Sequence, residues 1–224
     1  MSKRMKEAQK KLEEGKLYAL PEAVALIQDT AKVKFDPSLE VHINLGIDPK
    51  KSDQMVRSVV SLPHGSGKTL RIAAFVSDAD VAKAKEAGAD IAGSGELIDE
   101  IKSSNKCDFD IAVATPDMMK KLAVIARVLG QKGLMPNPKT GTIAPDVTKL
   151  IQDLKKGKIA FKSDAGGTIH AACGKVSFDK NNLVANIEAL LEAVMKAKPQ
   201  SLKGNLIKSV YLSSSMGPSV RVTA

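Results

Sequence analysis

Residues 64–69 read HGSGKT, and Gly67, Lys68 and Thr69 are the residue types that hold a nucleotide phosphate. A phosphate loop needs a glycine, four residues, then Gly-Lys-Ser/Thr, so that backbone N–H groups converge on the anion. The first glycine position is Leu62, so the motif is incomplete and the stretch reads as a flexible hinge. Gly93-Ser94-Gly95 likewise lacks the rest of a dinucleotide fingerprint. The histidines are His42, His64 and His170, and none has the i, i+4 partner of a helical zinc site. Cys107 and Cys173 are far apart, which excludes a disulfide framework or a cysteine-based zinc site. They read as two small apolar residues of a reduced, cytosolic protein. No G-x-S-x-G elbow accompanies the serines. The expectation is no catalytic residue, no metal and no cofactor. The alternative is a nucleotide-binding α/β enzyme using Gly67-Lys68-Thr69.

Three other segments have binding chemistry. KFDPSLEVH (34–42) sets Phe35 beside Lys34 at a strand entrance, where Phe35 is either an exposed contact or a core anchor. SSSMGPSV (213–220) ends a strand in hydroxyls, a Gly and a Pro, types suited to sugar hydroxyls and phosphates. Met216 offers an apolar contact for a base or ribose; a loose strand end is the competing reading. GLMPNPKTGTIAP (133–145) is long for a connection, with Lys132 and Lys139 in reach of a phosphate or simply solvated on a rigid connector.

Composition narrows the partner. The 224 residues carry 34 Lys plus Arg against 25 Asp plus Glu, a formal charge of +9, which favours a polyanion. Aromatic residues are 3% and Trp is absent, which disfavours a platform of stacked bases. No apolar run reaches the roughly 18–20 residues of a membrane span. The opening MSKRMKEAQKKLEEGK lacks the apolar core of a signal peptide.

Hydrophobic spacing predicts the elements that position these residues. In the middle, LRIAAFV (70–76), ADIAGSG (89–95) and FDIAVATP (109–116) read as strands. DADVAKAKEAG (78–88), ELIDEIKSS (96–104), PDMMKKLAVIARVLG (116–130) and DVTKLIQDLKKG (146–157) read as helices. Strand and helix alternate, as in a small parallel α/β unit. The flanks differ. LPEAVALIQDT (20–30) and NNLVANIEALLEAVMKAKP (181–199) read as helices. SLEVHINLGI (38–47) alternates strictly, with Leu39, Val41, Ile43, Leu45 and Ile47 on one side. RSVVSL (57–62), KIAFKSD (158–164), TIHAACGKVSF (168–178), LIKSVYLSSS (206–215) and PSVRV (218–222) complete an α+β set.

Neither flank closes a core alone. Both termini are therefore expected in one domain, 1–66 with 158–224, interrupted by an inserted unit at 67–157. Gly65, Gly67 and Gly157 at the two crossings supply a hinge. Lys plus Arg against Asp plus Glu is 11 to 9 over 1–66, 14 to 12 over 67–157 and 9 to 4 over 158–224. The terminal domain is then +7 and the insert +2, placing a nucleic-acid site on the former.

LPHGSGK, GLMPNPKTGT and SSSMGPSV occur in this order after KFDPSLEVHINLGIDPKKSDQMVR. With these motifs the whole chain resembles the bacterial form of the universal L-one family of large-subunit ribosomal proteins, which hold the mobile stalk beside the tRNA exit site. The resemblance implies a discontinuous α+β terminal domain with an inserted α/β Rossmann-like three-layer domain. It implies binding to large-subunit ribosomal RNA, help in releasing deacylated tRNA from the exit site, and repression of the protein's own operon mRNA. It implies a cytoplasmic protein on the ribosome, a monomer when free, with no membrane partner. By similarity Lys34, Phe35, Ser38, Glu40 and His42 form one part of the RNA surface. Ser213, Ser214, Ser215, Met216, Gly217 and Pro218 form the other. Serines stand where many members of the family show Thr-Thr before Met-Gly, which retains the hydroxyl.

Overall fold

The computed structural model describes residues 3–13, 15–202 and 204–223, with the side chains of Ser52 and Lys139 outside that description. The reach of Lys139 toward a phosphate therefore lies outside the described residues. In chain order the elements are α1 (Lys3–Lys10), α2 (Leu20–Thr30), β1 (Ser38–Leu45), β2 (Arg57–Ser61), β3 (Ile72–Phe75), α3 (Val81–Glu86), β4 (Ile91–Gly93), α4 (Gly95–Ser104), β5 (Ile111–Ala114), α5 (Met119–Leu122), α6 (Ala126–Gln131), α7 (Val147–Lys155), β6 (Lys158–Lys162), β7 (Thr168–Lys175), α8 (Lys180–Lys196), β8 (Ile207–Ser214) and β9 (Ser219–Val222). This is a mixed α/β protein. Its chain gathers into two compact units, Met1–Lys68 with Gly157–Ala224, and Thr69–Lys156.

In the first unit an antiparallel sheet runs β7-β1-β8-β9, and β2 pairs with β6 in a smaller sheet. The alternation of β1 sends Leu39, Val41, Ile43 and Leu45 to the core. There they meet Ala23, Val24 and Ile27 of α2 and Leu183, Ile187, Leu190 and Val194 of α8. Those helical positions recur at three- and four-residue intervals, so one stripe of each helix is buried. Asp179 caps α8 by accepting from the Asn181 N–H. Composition at the N-terminus indicated only charge, yet residues 3–10 form α1, which buries Ala8.

In the second unit the parallel sheet runs β4-β3-β5. Both faces are covered. Ala73, Phe75, Ala112 and Ala114 pack against α4 to α6, and Ile72, Ala74, Val76 and Val113 against α3 and α7. The continuous helix expected over 116–130 is instead α5, a 3-10 turn at Ala123–Ile125, and α6. A 3-10 turn preserves i, i+3 spacing, so apolar periodicity cannot reveal the break. Met118, Leu122, Ile125 and Leu129 remain buried while Val124 is exposed. The 133–145 loop is folded onto this unit. Its Thr142 carbonyl accepts from Ala114 N–H, its Ala144 N–H donates to Ala114, and Leu134 and Met135 join the core.

The glycines at 65 and 157 pack tightly within the first unit. Gly157 has φ +106°, and a Cβ there would lie 2.5 Å from Gly65 Cα. The Leu62 N–H donates to the Gly157 carbonyl at 3.2 Å. Buried Asn186 fastens this crossing: its Oδ1 accepts from His64 N–H at 3.0 Å, and its Nδ2 donates to the Gly65 and Cys173 carbonyls at 2.9 and 2.7 Å. Apolar replacement leaves those backbone groups without their partner. Asn186→Leu is expected to lose roughly 2–4 kcal/mol of stability, since each unsatisfied buried group costs about 1–3 kcal/mol. Urea unfolding of the two proteins measures this; an unchanged midpoint would refute the role.

Candidate nucleic-acid interface

The residues of β1 that alternate with its core positions are Ser38, Glu40, His42 and Asn44. Register aligns them in cross-strand rows. Glu40 faces Ala172 on β7 and Ser213 on β8, His42 faces His170 and Tyr211, and Asn44 faces Thr168 and Ser209. On β9, Arg221 extends the His42 row and Ser219 the Glu40 row. Opposed residues of an antiparallel pair share a face, so one side of this sheet is apolar and buried and the other is polar.

Two segments far apart in sequence close the end of this face. The Ser215 N–H donates to the Ser38 carbonyl at 3.0 Å, and the Ser38 N–H donates to Ser215 Oγ at 3.3 Å. Ser215 Oγ also donates to Glu40 Oε1 at 3.3 Å. Lys175 Nζ donates to Ser38 Oγ at 3.1 Å and to the Asp36 carbonyl at 3.3 Å. Asp36 accepts from Ser177 Oγ at 2.8 Å, which ties the strand entrance to the turn after β7. From α1, Arg4 Nη2 donates to the Met216 carbonyl at 2.8 Å and Nη1 to the Lys32 carbonyl at 3.4 Å. The N-terminal helix thus braces the 213–218 segment and the chain just before Lys34.

Lys34 is exposed, and Phe35 is 50% exposed, which excludes the core-anchor reading. Met216 is 69% exposed and has φ +62°, in the left-handed region. Ser213 and Ser215 are half-buried on the polar side. Ser214 points inward at 3% exposure, and Pro218 is also buried. Gly217 has an internal reason to be glycine. A Cβ there would meet Ser214 Oγ at 2.1 Å and the Ser214 carbonyl at 3.2 Å. The polar face also holds residues that the sequence reading did not place on it: His170, Tyr211, Ser209, Asn44 and Lys175. Strict alternation marks Asn44, but only long-range register brings His170 beside His42.

Electrostatics are local. The Asp164 carboxyl is held below its usual range by the Thr168 and Gly166 backbone N–H groups, with His170 adding to them. Partial burial, then the neighbouring His170, push His42 below its ordinary value, while Glu40 opposes them. Burial raises the Cys173 thiol to about 12, and both cysteines are free. Among the described residues no cluster of three His, Cys, Asp or Glu is arranged for a metal. No helix among them is long and apolar enough to cross a membrane. Gly67-Lys68-Thr69 leads into strand β3 rather than a helix, so it lacks the strand–loop–helix setting that makes a phosphate cradle. A Cβ at Gly67 would instead strike Lys175 and Phe178.

The arrangement gathers hydroxyls, a carboxylate and two imidazoles on one polar sheet face. Residues 27–218 match the Ribosomal protein L1p/L10e family. The "Large ribosomal subunit protein uL1" of Rickettsia prowazekii is 48% identical over 221 residues, covering 99% of this chain and 92% of that one. The protein of that name from Mycoplasma capricolum is 49% identical over 222 residues, covering 99% and 98%. That of Corynebacterium glutamicum is 48% identical over 221 residues, covering 99% and 93%. The chain belongs to the ribosomal protein L1p/L10e family, whose members are structural proteins rather than enzymes.

The Gly217–Ser214 contact generates a stability prediction. Gly217→Ala should lower stability by roughly 1–3 kcal/mol, the range for overpacking a tight site. Ser214→Ala in the same chain should recover part of that loss, because the nearest obstructing atom is gone. Urea unfolding of both single variants and the double variant measures the coupling. Strict additivity would show that the Ser214 hydroxyl is not the obstruction.

Proposed function

We propose that this protein is a structural constituent of the large ribosomal subunit that binds large-subunit ribosomal RNA at the mobile stalk. The observation that carries this is the direct backbone pairing of Ser38 with Ser215, which unites the Lys34–His42 and Ser213–Pro218 segments on one polar sheet face. Hydroxyls, a carboxylate and imidazoles suit 2′-hydroxyl, phosphate and base-edge contacts of a folded RNA, which need no stacking platform. Glu40 Oε1 accepts from Ser215, and Oε2 on the same carboxylate is an acceptor for a ribose or guanine donor. Phe35 and Met216 flank the polar rows as exposed apolar contacts.

In this reading residues 1–66 and 158–224 are the RNA-binding α+β domain, and 67–157 an inserted Rossmann-like three-layer domain. The crossings with Gly65, Gly67 and Gly157 act as a hinge, anchored on one side by Asn186. The protein assists release of deacylated exit-site tRNA, and it represses translation by binding a similar structure in its own operon mRNA. It works in the cytoplasm on the ribosome and is a monomer when free. The relatives' names as large-subunit proteins and their near full-length coverage support the ribosomal part.

Met216 separates binding from folding. A non-glycine residue in the left-handed region costs about 1–2 kcal/mol, which Met216→Gly would relieve. The variant should unfold at the same temperature or higher, yet lose about tenfold or more in affinity for the ribosomal RNA junction. Competition between that junction and a random duplex of equal length measures both affinity and selectivity. Equal affinity for the two RNAs would make the protein a general basic coat and overturn this reading.

A further inference from the structure

His42 and His170, 128 residues apart, are joined on the polar face at 2.7 Å between their Nδ1 atoms. His42 Nε2 lies 3.0 Å from Ser213 Oγ, and His170 Nε2 lies 3.4 Å from Asp164 Oδ2. We propose that Asp164, His170, His42 and Ser213 form a proton-gated phosphate site that takes up one proton as it binds one phosphodiester oxygen of the RNA. The proposal rests on the RNA-binding reading above and adds His170 and Asp164 to that surface.

The partners fix the hydrogen positions. A carboxylate only accepts, so His170 Nε2 carries a hydrogen toward Asp164. Neutral His170 then accepts at Nδ1 from His42 Nδ1–H. His42 Nε2 is left to accept from the Ser213 hydroxyl. In this neutral state the Ser213 hydrogen is turned into the pair and is not available to an anion. A proton added at His42 Nε2 reverses only that last bond. Nε2–H now donates to Ser213 Oγ, and the Ser213 hydrogen is free to rotate toward a phosphate. One event supplies a positive charge and a free O–H donor together. The capacity is one proton, because the short Nδ1–Nδ1 contact requires one nitrogen without hydrogen. The only bond change is proton transfer: an N–H bond forms at His42 Nε2 as hydronium or a buffer acid gives up its proton.

The surrounding groups set the direction. Glu40 on β1 lies 3.9 Å from His42 Nε2 and, with Asp164 on the turn before β7, favours the added charge. Partial burial and the second imidazole oppose it and keep His42 below its ordinary value in the free protein. Tyr211 on β8 and Arg221 on β9 share the cross-strand row, and Lys175 stands at the far end of β7. His42 is therefore held toward its neutral form in the free protein, and an arriving phosphate raises its proton affinity. Affinity for RNA should rise as pH falls through neutrality and be lost as pH rises through the value in the complex.

Calorimetry of the whole chain with the large-subunit RNA junction, in buffers of different ionisation enthalpy, counts the protons. The expected result is net uptake approaching one proton, with affinity rising up to about tenfold per unit from pH 8 to pH 6. His42→Gln keeps a hydrogen-bonding amide but cannot titrate; it should abolish the uptake and flatten the pH profile. Tight binding by the native chain without proton exchange would overturn the site and leave RNA binding standing. Uptake undiminished in His42→Gln would also overturn it. Failure to bind the junction at any pH would remove the RNA-binding reading together with the site.

Discussion

Strand β1 is hydrogen-bonded along both edges, to β7 and to β8, so its register is set twice over. A slip of one residue would send Leu39, Val41, Ile43 and Leu45 into water and Glu40 and His42 into the core. Burial of the four apolar side chains is worth roughly 1.5–3 kcal/mol each, which makes such a slip prohibitive. The same constraint that builds the core therefore holds the polar rows in place. Ser38, Glu40 and His42 are positioned by the residues between them.

The hairpin beyond β8 completes this frame at a local cost. Met216 adopts a left-handed conformation that glycine would take more readily, while Gly217 adjoins it and is needed because Ser214 lies beneath. Ser214 Oγ is buried without a hydrogen-bond partner among the described residues. An exposed methionine with strained backbone and an unpaired buried hydroxyl are poor choices for stability alone. Together they aim an apolar side chain outward beside the serines, as the proposed RNA contact would require.

Much of this was legible in the residues. Period-two alternation identified β1 and its buried set, and apolar stripes located α2 and α8, because both signals are local consequences of burial. Motifs in 34–42 and 213–218 named the two segments that Ser38 and Ser215 unite. Other features were hidden for physical reasons. The 3-10 turn at 123–125 preserves the spacing that periodicity reads. The partnership of His42 and His170 depends on the pairing of β1 with β7 across more than a hundred residues. The Asn186 fastening was equally silent, since a lone Asn in a helical run says nothing of the backbone it will meet. The contact that makes residue 217 a glycine was silent too, since only the folded turn brings Ser214 Oγ to where a Cβ would lie.

The central claim is that RNA lies on the polar face of the β7-β1-β8-β9 sheet. Hydrogen-exchange mass spectrometry of the whole chain, free and bound to the large-subunit RNA junction, maps the covered surface directly. Protection should concentrate in peptides spanning 32–44, 168–175 and 207–221, with residues 70–130 changing little. Protection centred on 70–130, with the sheet peptides unchanged, would contradict the account.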